Sequence, residues 1–100
     1  MIVELNNDNF DEVISKGLKL VEFYAPWCGF CRKQNAVLEE MKEITVYKIN
    51  GDNSPIITKK YGITAYPSFL IFKDGKAVNK FSGLHTKFEL MNILLEFMKK

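Results

Sequence analysis

The chain contains two cysteines, Cys28 and Cys31, which stand three positions apart directly after its single tryptophan, Trp27. Side chains three residues apart on a helix are neighbours, so two thiols at this spacing can form a disulfide with each other. The pair could instead be an inert brace or half of a metal site. A brace that closes so short a loop adds only about 2 kcal/mol, and a metal site needs about four ligands, of which His85 is the one obvious further donor. The spacing therefore favours reversible thiol–disulfide chemistry.

The elements that must position the two cysteines alternate between strand and helix patterns. Strands are predicted at residues 2–5, 18–25, 45–49, 68–72 and 77–81. Helices are predicted between a cap at Asn6 or Asn7 and a stop at Gly17, over residues 29–43, from Ser54-Pro55 to about Gly62, and from Thr86 onward. Asp74-Gly75 lies between the last two strands, and this pair of residues predicts a tight antiparallel hairpin.

This order, β-α-β-α-β followed by a hairpin, predicts an α/β fold with a mixed central sheet of about five strands, flanked on both faces by about four helices. Length and a hydrophobic content of 47% fit a single domain over residues 1–100. Cys28 then falls at the amino end of the second helix, with Cys31 about one turn inside it. An exposed thiol at a helix start is favoured as thiolate by unpaired N–H groups and by the macrodipole.

Charge and composition exclude several function classes. The net charge of +2 comes from scattered basic residues, densest at Lys59-Lys60 and Lys99-Lys100, and no basic stripe suggests nucleic acid. There is no leader pattern, no uncharged apolar run of spanning length and no G-x-G-x-x-G. We expect a monomeric cytoplasmic protein that binds neither nucleic acid nor a membrane and needs no metal or cofactor of its own.

Glu22 is a carboxylate in the middle of the apolar segment LKLVEFYA, which should be covered on both faces. A buried charge is costly, so Glu22 should either pair with a cation or keep its proton, with burial raising its pKa. The alternative is a side chain that reaches a solvated end of the strand.

Three segments, VEFYAPWCGFCR, YGITAYPSFLIFKDGK and FSGLHTKFEL, resemble the thioredoxin family over nearly the whole chain. The resemblance implies a thioredoxin fold and a protein-disulfide reductase, in which a Cys28–Cys31 dithiol reduces disulfides of target proteins. It implies a separate thioredoxin reductase as the electron donor.

The resemblance also implies roles for further residues. Glu22 maps to an aspartate that is credited with exchanging a proton with the deeper cysteine, and Lys48 maps to a lysine on the neighbouring strand that often accompanies it. Pro67 maps to a cis-proline beside the cysteines. The residues expected to contact an extended substrate chain are Trp27, Gly29, Phe30, Ala65, Tyr66, Pro67, Gly83 and Leu84. For Trp27 and Tyr66, simple core packing is the alternative.

The chain departs from the family pattern in three places. Glu22 replaces the usual aspartate, Phe30 replaces a proline between the cysteines, and Ala36 replaces a proline that kinks the second helix. Phe30 carries no charge that would stabilise a thiolate, so we expect a reducing couple. A thiol oxidase or disulfide isomerase, and a redox-independent protein-binding module, remain as alternative functions.

Overall fold

A computed structural model describes residues 1–98; the predicted cationic pair Lys99-Lys100 lies outside the described residues. The strands are β1 (Ile2–Leu5), β2 (Leu18–Tyr24), β3 (Val46–Asn50), β4 (Ser68–Lys73) and β5 (Lys76–Ser82). The helices are α1 (Phe10–Ile14), α2 (Gly29–Glu40), α3 (Pro55–Lys60) and α4 (Lys87–Met98), with a 3-10 turn at Gly51–Asn53.

The sheet has the order β1-β3-β2-β4-β5, which places β2 at its centre. β3 is parallel to both β1 and β2, whereas β4 runs antiparallel to β2 and β5 antiparallel to β4. The predicted mixed sheet of five strands is therefore confirmed. Because β2 is central and leads directly to Cys28, the cysteine pair is anchored to the middle strand of the sheet.

Two apolar cores fill the two faces of the sheet, as the prediction of helices on both faces requires. One core packs Phe10 and Ile14 of α1 against Val21 and Phe72, with side chains of α3 at its edge. The other packs side chains of α2 and α4 against the opposite face and contains Leu20, Leu38, Met41, Val46, Phe69, Ile71, Leu90 and Leu94. The start of α2 is thus held from behind by a packed core.

The turns around the sheet follow their sequence signals. Asp74 and Gly75 both have positive φ, 49° and 88°, and the predicted hairpin is confirmed. In the predicted capping box of α4, the Thr86 N–H donates to Glu89 Oε1 at 2.8 Å and the Glu89 N–H donates to Thr86 Oγ1 at 3.1 Å. The box fixes the entrance of α4 immediately after Gly83 and Leu84.

Two helix boundaries differ from the predictions. α1 begins after Asn9, because the Asn6 side chain instead accepts the N–H groups of Asp8 and Asn9 and forms a turn before the helix. α2 ends at Glu40 rather than near residue 43, because Met41 leaves the helical conformation and is completely buried in the core.

Candidate active site

Cys28 is the N-cap residue of α2, in an extended conformation directly after the loop that follows β2. Its sulfur accepts a hydrogen bond from the Cys31 N–H at 3.1 Å, as a serine or aspartate oxygen does in an ordinary cap. The Cys28 thiol donates to the Tyr66 carbonyl oxygen at 3.6 Å, and both cysteines are free thiols. The first cysteine of the CxxC pair is therefore part of the cap that begins α2.

The Cys28 thiol is much less exposed than the sequence predicted. Cys28 is 6% exposed and Cys31 5% exposed, because they pack with Ala25 in a small cluster covered by Tyr24 and Tyr66. Only a small part of Cys28 reaches the surface. The neighbouring residues are exposed, however: Trp27 and Gly29 flank Cys28 and are both open to solvent, and Phe30 is 61% exposed.

A loop from the second half of the chain meets the cysteines. The Tyr66–Pro67 peptide bond is cis, which confirms the expectation for Pro67. The Tyr66 ring packs edge-on against Trp27 at 5.9 Å between centroids, and the Trp27 Nε1–H donates to Asp52 Oδ2 at 2.8 Å. Trp27 therefore lies on the surface beside Cys28, whereas Tyr66 contacts Trp27 on one side and also packs against the core that contains Phe10.

The predicted substrate-contacting residues fall on three adjoining segments. Gly29 and Phe30 open α2, and Ala65 is exposed just before the Tyr66–Pro67 bond. Gly83 joins this loop through its N–H, which donates to the Pro67 carbonyl oxygen at 2.9 Å, and Leu84 beside it is exposed. Direct contacts link Trp27, Cys28, Cys31, Tyr66, Pro67 and Gly83.

Two residues that shape this surface were missed at the sequence level. Gln34 is completely buried, and its side chain both donates to the His85 carbonyl oxygen at 2.9 Å and accepts the His85 N–H at 2.8 Å. This clamp ties α2 to the loop that carries Gly83. Gln34 shares a helix face with Cys31 and Leu38, and a polar residue in that apolar stripe was the available signal.

Gly51 is the second missed residue. It is buried next to Tyr66, and a Cβ atom at this position would overlap the tyrosine ring. The absence of a side chain therefore lets Tyr66 lie where it covers Cys28. No local sequence signal identifies it, because the two residues are brought together only by the tertiary structure.

Glu22 is completely buried at the centre of the sheet, so the alternative of a solvated strand end is wrong. Lys48 lies opposite it on β3, with its Nζ 3.9 Å from Glu22 Oε1, and neither carboxyl oxygen has a hydrogen-bond partner among residues 1–98. Burial raises the pKa of Glu22 from 4.5 to about 7; the Lys48 charge lowers it in part and the Glu4 charge raises it further.

Cys31 is held as a protonated thiol. Burial is the main cause of its raised pKa, and hydrogen bonding to the Cys28 side chain acts in the same direction, while a hydrogen bond with the Ala25 backbone opposes them. The Glu22 charge also raises the pKa of Cys31, so the two groups interact electrostatically. The deeper thiol must therefore lose a proton before it can act as a nucleophile.

A polar cavity of about 250 Å³ adjoins the deeper thiol, and it is large enough to admit water. Its lining residues are Tyr24, Ala25, Pro26, Cys31, Arg32, Asn35 and Lys48.

Residues 1–98 contain no group of three or more His, Cys, Asp or Glu side chains placed to hold a metal ion. None of the helices in this range is long and apolar enough to span a membrane.

Comparison with known proteins decides the family. The family model named Thioredoxin matches residues 1–96. The chain belongs to the thioredoxin family. Among its relatives, the thioredoxin of Chlamydia caviae is 35% identical over 98 residues, which cover 94% of this chain and 96% of the relative. The thioredoxin of Staphylococcus haemolyticus is 37% identical over 98 residues, which cover 93% and 94%.

Membership of the thioredoxin family gives the chain its chemistry. It is a thiol-disulfide oxidoreductase of the protein-disulfide reductase type, with disulfides as substrates and a CxxC pair as its redox-active centre. The geometry described above gives each cysteine of that pair a different environment.

The buried carboxyl group predicts a pH-dependent stability. The folded chain keeps the Glu22 proton up to about pH 7, whereas an unfolded chain releases it near pH 4.5, so Glu22 destabilises the fold increasingly as pH rises between these values. Glu22→Gln removes this titration. The unfolding free energy of the variant relative to the wild type should rise by about 3 kcal/mol between pH 4.5 and pH 8.

Urea denaturation at a series of pH values measures this difference, and Glu96→Gln, at an exposed position of α4, is the matched control. Any constant cost of burying the glutamine amide cancels between the two pH values. A difference that stays flat from pH 4.5 to pH 8 would contradict the raised pKa of Glu22.

Proposed function

We propose that this thioredoxin reduces protein disulfides through a cycle in which Cys28 attacks and Cys31 resolves. The Cys28 thiolate attacks one sulfur of the substrate disulfide, that bond breaks, and the first substrate thiolate leaves and takes a proton. Cys31 then loses its proton and attacks the Cys28 sulfur, which releases the second substrate thiol. Two electrons and two protons pass from the dithiol to the substrate, and the chain is left with a Cys28–Cys31 disulfide.

The observation that carries this assignment is the 3.1 Å hydrogen bond from the Cys31 N–H to the Cys28 sulfur. A backbone N–H at a helix start stabilises negative charge on its acceptor, which suits the attacking sulfur. Burial raises the pKa of Cys31 and keeps that thiol protonated until the mixed disulfide has formed. The difference between the two environments supports the order of the two steps.

We assign to Glu22 the role of proton acceptor for Cys31. A general base is most effective when its pKa lies near the working pH, and burial raises the pKa of Glu22 to about 7. The Lys48 ammonium, 3.9 Å away, supplies the charge that limits this rise. The extra methylene of Glu22, relative to the aspartate usual in the family, does not bring the carboxyl group to solvent, because Glu22 is completely buried.

The proposed docking surface consists of exposed apolar groups and available backbone around Cys28. The Trp27 side chain is fixed by its hydrogen bond to Asp52, and the Phe30 and Leu84 side chains are exposed. An extended substrate segment could use backbone contacts at the Tyr66–Pro67 loop and at Gly83, which would give little dependence on substrate sequence. The residues proposed to contact substrate are Trp27, Gly29, Phe30, Ala65, Tyr66, Pro67, Gly83 and Leu84.

We propose that a separate thioredoxin reductase restores the dithiol, and that the chain works as a cytoplasmic monomer with no cofactor of its own and with no nucleic-acid or membrane partner. The uncharged Phe30 supports a reducing couple, because it offers no cation to stabilise the reduced form of Cys28. The proposed cytoplasmic location is the compartment in which the thioredoxin reductase would supply electrons to this chain.

The direct test is dithiothreitol-driven reduction of insulin by the whole chain. The wild type should accelerate the reaction, and Cys28→Ser should abolish the acceleration because no mixed disulfide can form. Cys31→Ser should turn over much more slowly than the wild type, because only dithiothreitol from solution is then left to resolve the mixed disulfide. No acceleration by the wild type would contradict the function, and full activity of Cys28→Ser in a separate partner-binding assay would favour the redox-independent module.

The role of Glu22 predicts a specific kinetic defect. Glu22→Gln cannot accept the Cys31 proton, so release of the mixed disulfide should slow by about tenfold or more at pH 7, while the first attack by Cys28 is unaffected. Stopped-flow measurement of the two steps separates them. Unchanged release by a folded Glu22→Gln variant would remove Glu22 from the mechanism.

A further inference from the structure

Lys48 makes its shortest polar contact with a neutral amide rather than with the carboxyl group opposite it. The Lys48 ammonium donates to Asn35 Oδ1 at 2.6 Å, whereas Glu22 Oε1 is 3.9 Å away. The same ammonium lies 4.4 Å from the centroid of the Tyr24 ring. An ammonium and a carboxylate that are free to approach usually reach hydrogen-bond distance, 2.7–2.9 Å. Something in the structure therefore keeps this pair apart.

The amide that holds Lys48 is itself fixed. Asn35 lies on α2, one turn after Cys31, and its Nδ2–H donates to Glu39 Oε1 at 2.8 Å on the same helix. This bond orients the amide so that its oxygen faces Lys48. Glu22 is left with no hydrogen-bond partner for either oxygen within residues 1–98.

We propose that Asn35 is a positioning residue that holds the Lys48 ammonium away from the Glu22 carboxyl group. Asn35 and Lys48 also line the cavity of about 250 Å³ that reaches Cys31, so the same two side chains border the space through which a proton could leave the deeper thiol. Among residues 1–98, the other titratable groups that interact electrostatically with Glu22 are Glu4 of β1, Tyr24 of β2 and Cys31 of α2. Its neighbour on β4 is the apolar Phe69.

The proposal predicts opposite effects for two substitutions. Asn35→Ala frees Lys48 to approach Glu22, which favours the ionised carboxylate and lowers the pH at which Glu22 titrates. Asn35→Asp keeps Lys48 occupied and adds a negative charge near Glu22, which raises that pH. Asn92→Ala is the matched control, because it makes the same change at an exposed position of α4.

The test is an NMR titration of the reduced chain with carbon-13 in its glutamate carboxyl groups, in which the Glu22 signal is recognised by its loss in Glu22→Gln. The Glu22 midpoint should fall by about one pH unit in Asn35→Ala, rise in Asn35→Asp and stay constant in Asn92→Ala. An unchanged midpoint in Asn35→Ala would overturn the proposal.

A double substitution separates the position of Lys48 from simple hydration of the cavity. In a Lys48→Met chain the ammonium is absent, so adding Asn35→Ala should no longer lower the Glu22 midpoint. If the fall persists, water entering the enlarged cavity is responsible and Asn35 does not act through Lys48.

The proposed function is needed only to predict how the Asn35 variants change turnover. Their rate of insulin reduction measures that change separately from the Glu22 midpoint. Midpoints that move as stated with constant turnover would leave the positioning role intact and remove Glu22 from proton transfer.

Discussion

The hydrogen bond between the Cys31 backbone and the Cys28 sulfur is the contact on which the site depends. It makes a sulfur atom the cap of α2, and it fixes the distance between the two cysteines through the helix itself. The surrounding fold holds the first turn of α2 in place. β2, at the centre of the sheet, leads directly to this turn, and the core packed against α2 fixes the helix axis. The Tyr66 carbonyl oxygen then approaches the same sulfur from the opposite half of the chain.

The second constraint is a buried carboxyl group, that of Glu22, which has no hydrogen-bond partner among residues 1–98. Burying Glu22 costs stability at neutral pH, because the fold must either protonate the group or carry an uncompensated charge. Groups with a strongly shifted pKa concentrate at functional sites, where the shift suits the chemistry. In the cycle we propose, the raised pKa of Glu22 suits a group that accepts the proton of Cys31, whose own pKa is also raised by burial.

Local signals in the sequence predicted much of the architecture. The Asp74-Gly75 turn, the Thr86 capping box and the strand Ile2–Leu5 lie where their residue patterns placed them, because short-range chemistry determines each. The family resemblance identified Pro67 and the thiol-disulfide chemistry, and the roles of individual site residues stay predictions. Features that depend on contacts between distant segments could not be predicted from short stretches of sequence. They are the burial of Cys28 under Tyr66, the end of α2 at the buried Met41, and the hydrogen bonds between Gln34 and His85.

The central claim is that the capping sulfur, Cys28, is the atom that meets the substrate, despite its small exposed surface. Trapping the covalent intermediate tests this most directly. A Cys31→Ser chain is mixed with a disulfide-bonded peptide, and the products are digested and analysed by mass spectrometry without reduction. The account predicts one peptide joined to Cys28 and no adduct in a Cys28→Ser chain treated in the same way. A stable adduct on Cys31 in the Cys28→Ser chain, with none on Cys28 in the other, would contradict it.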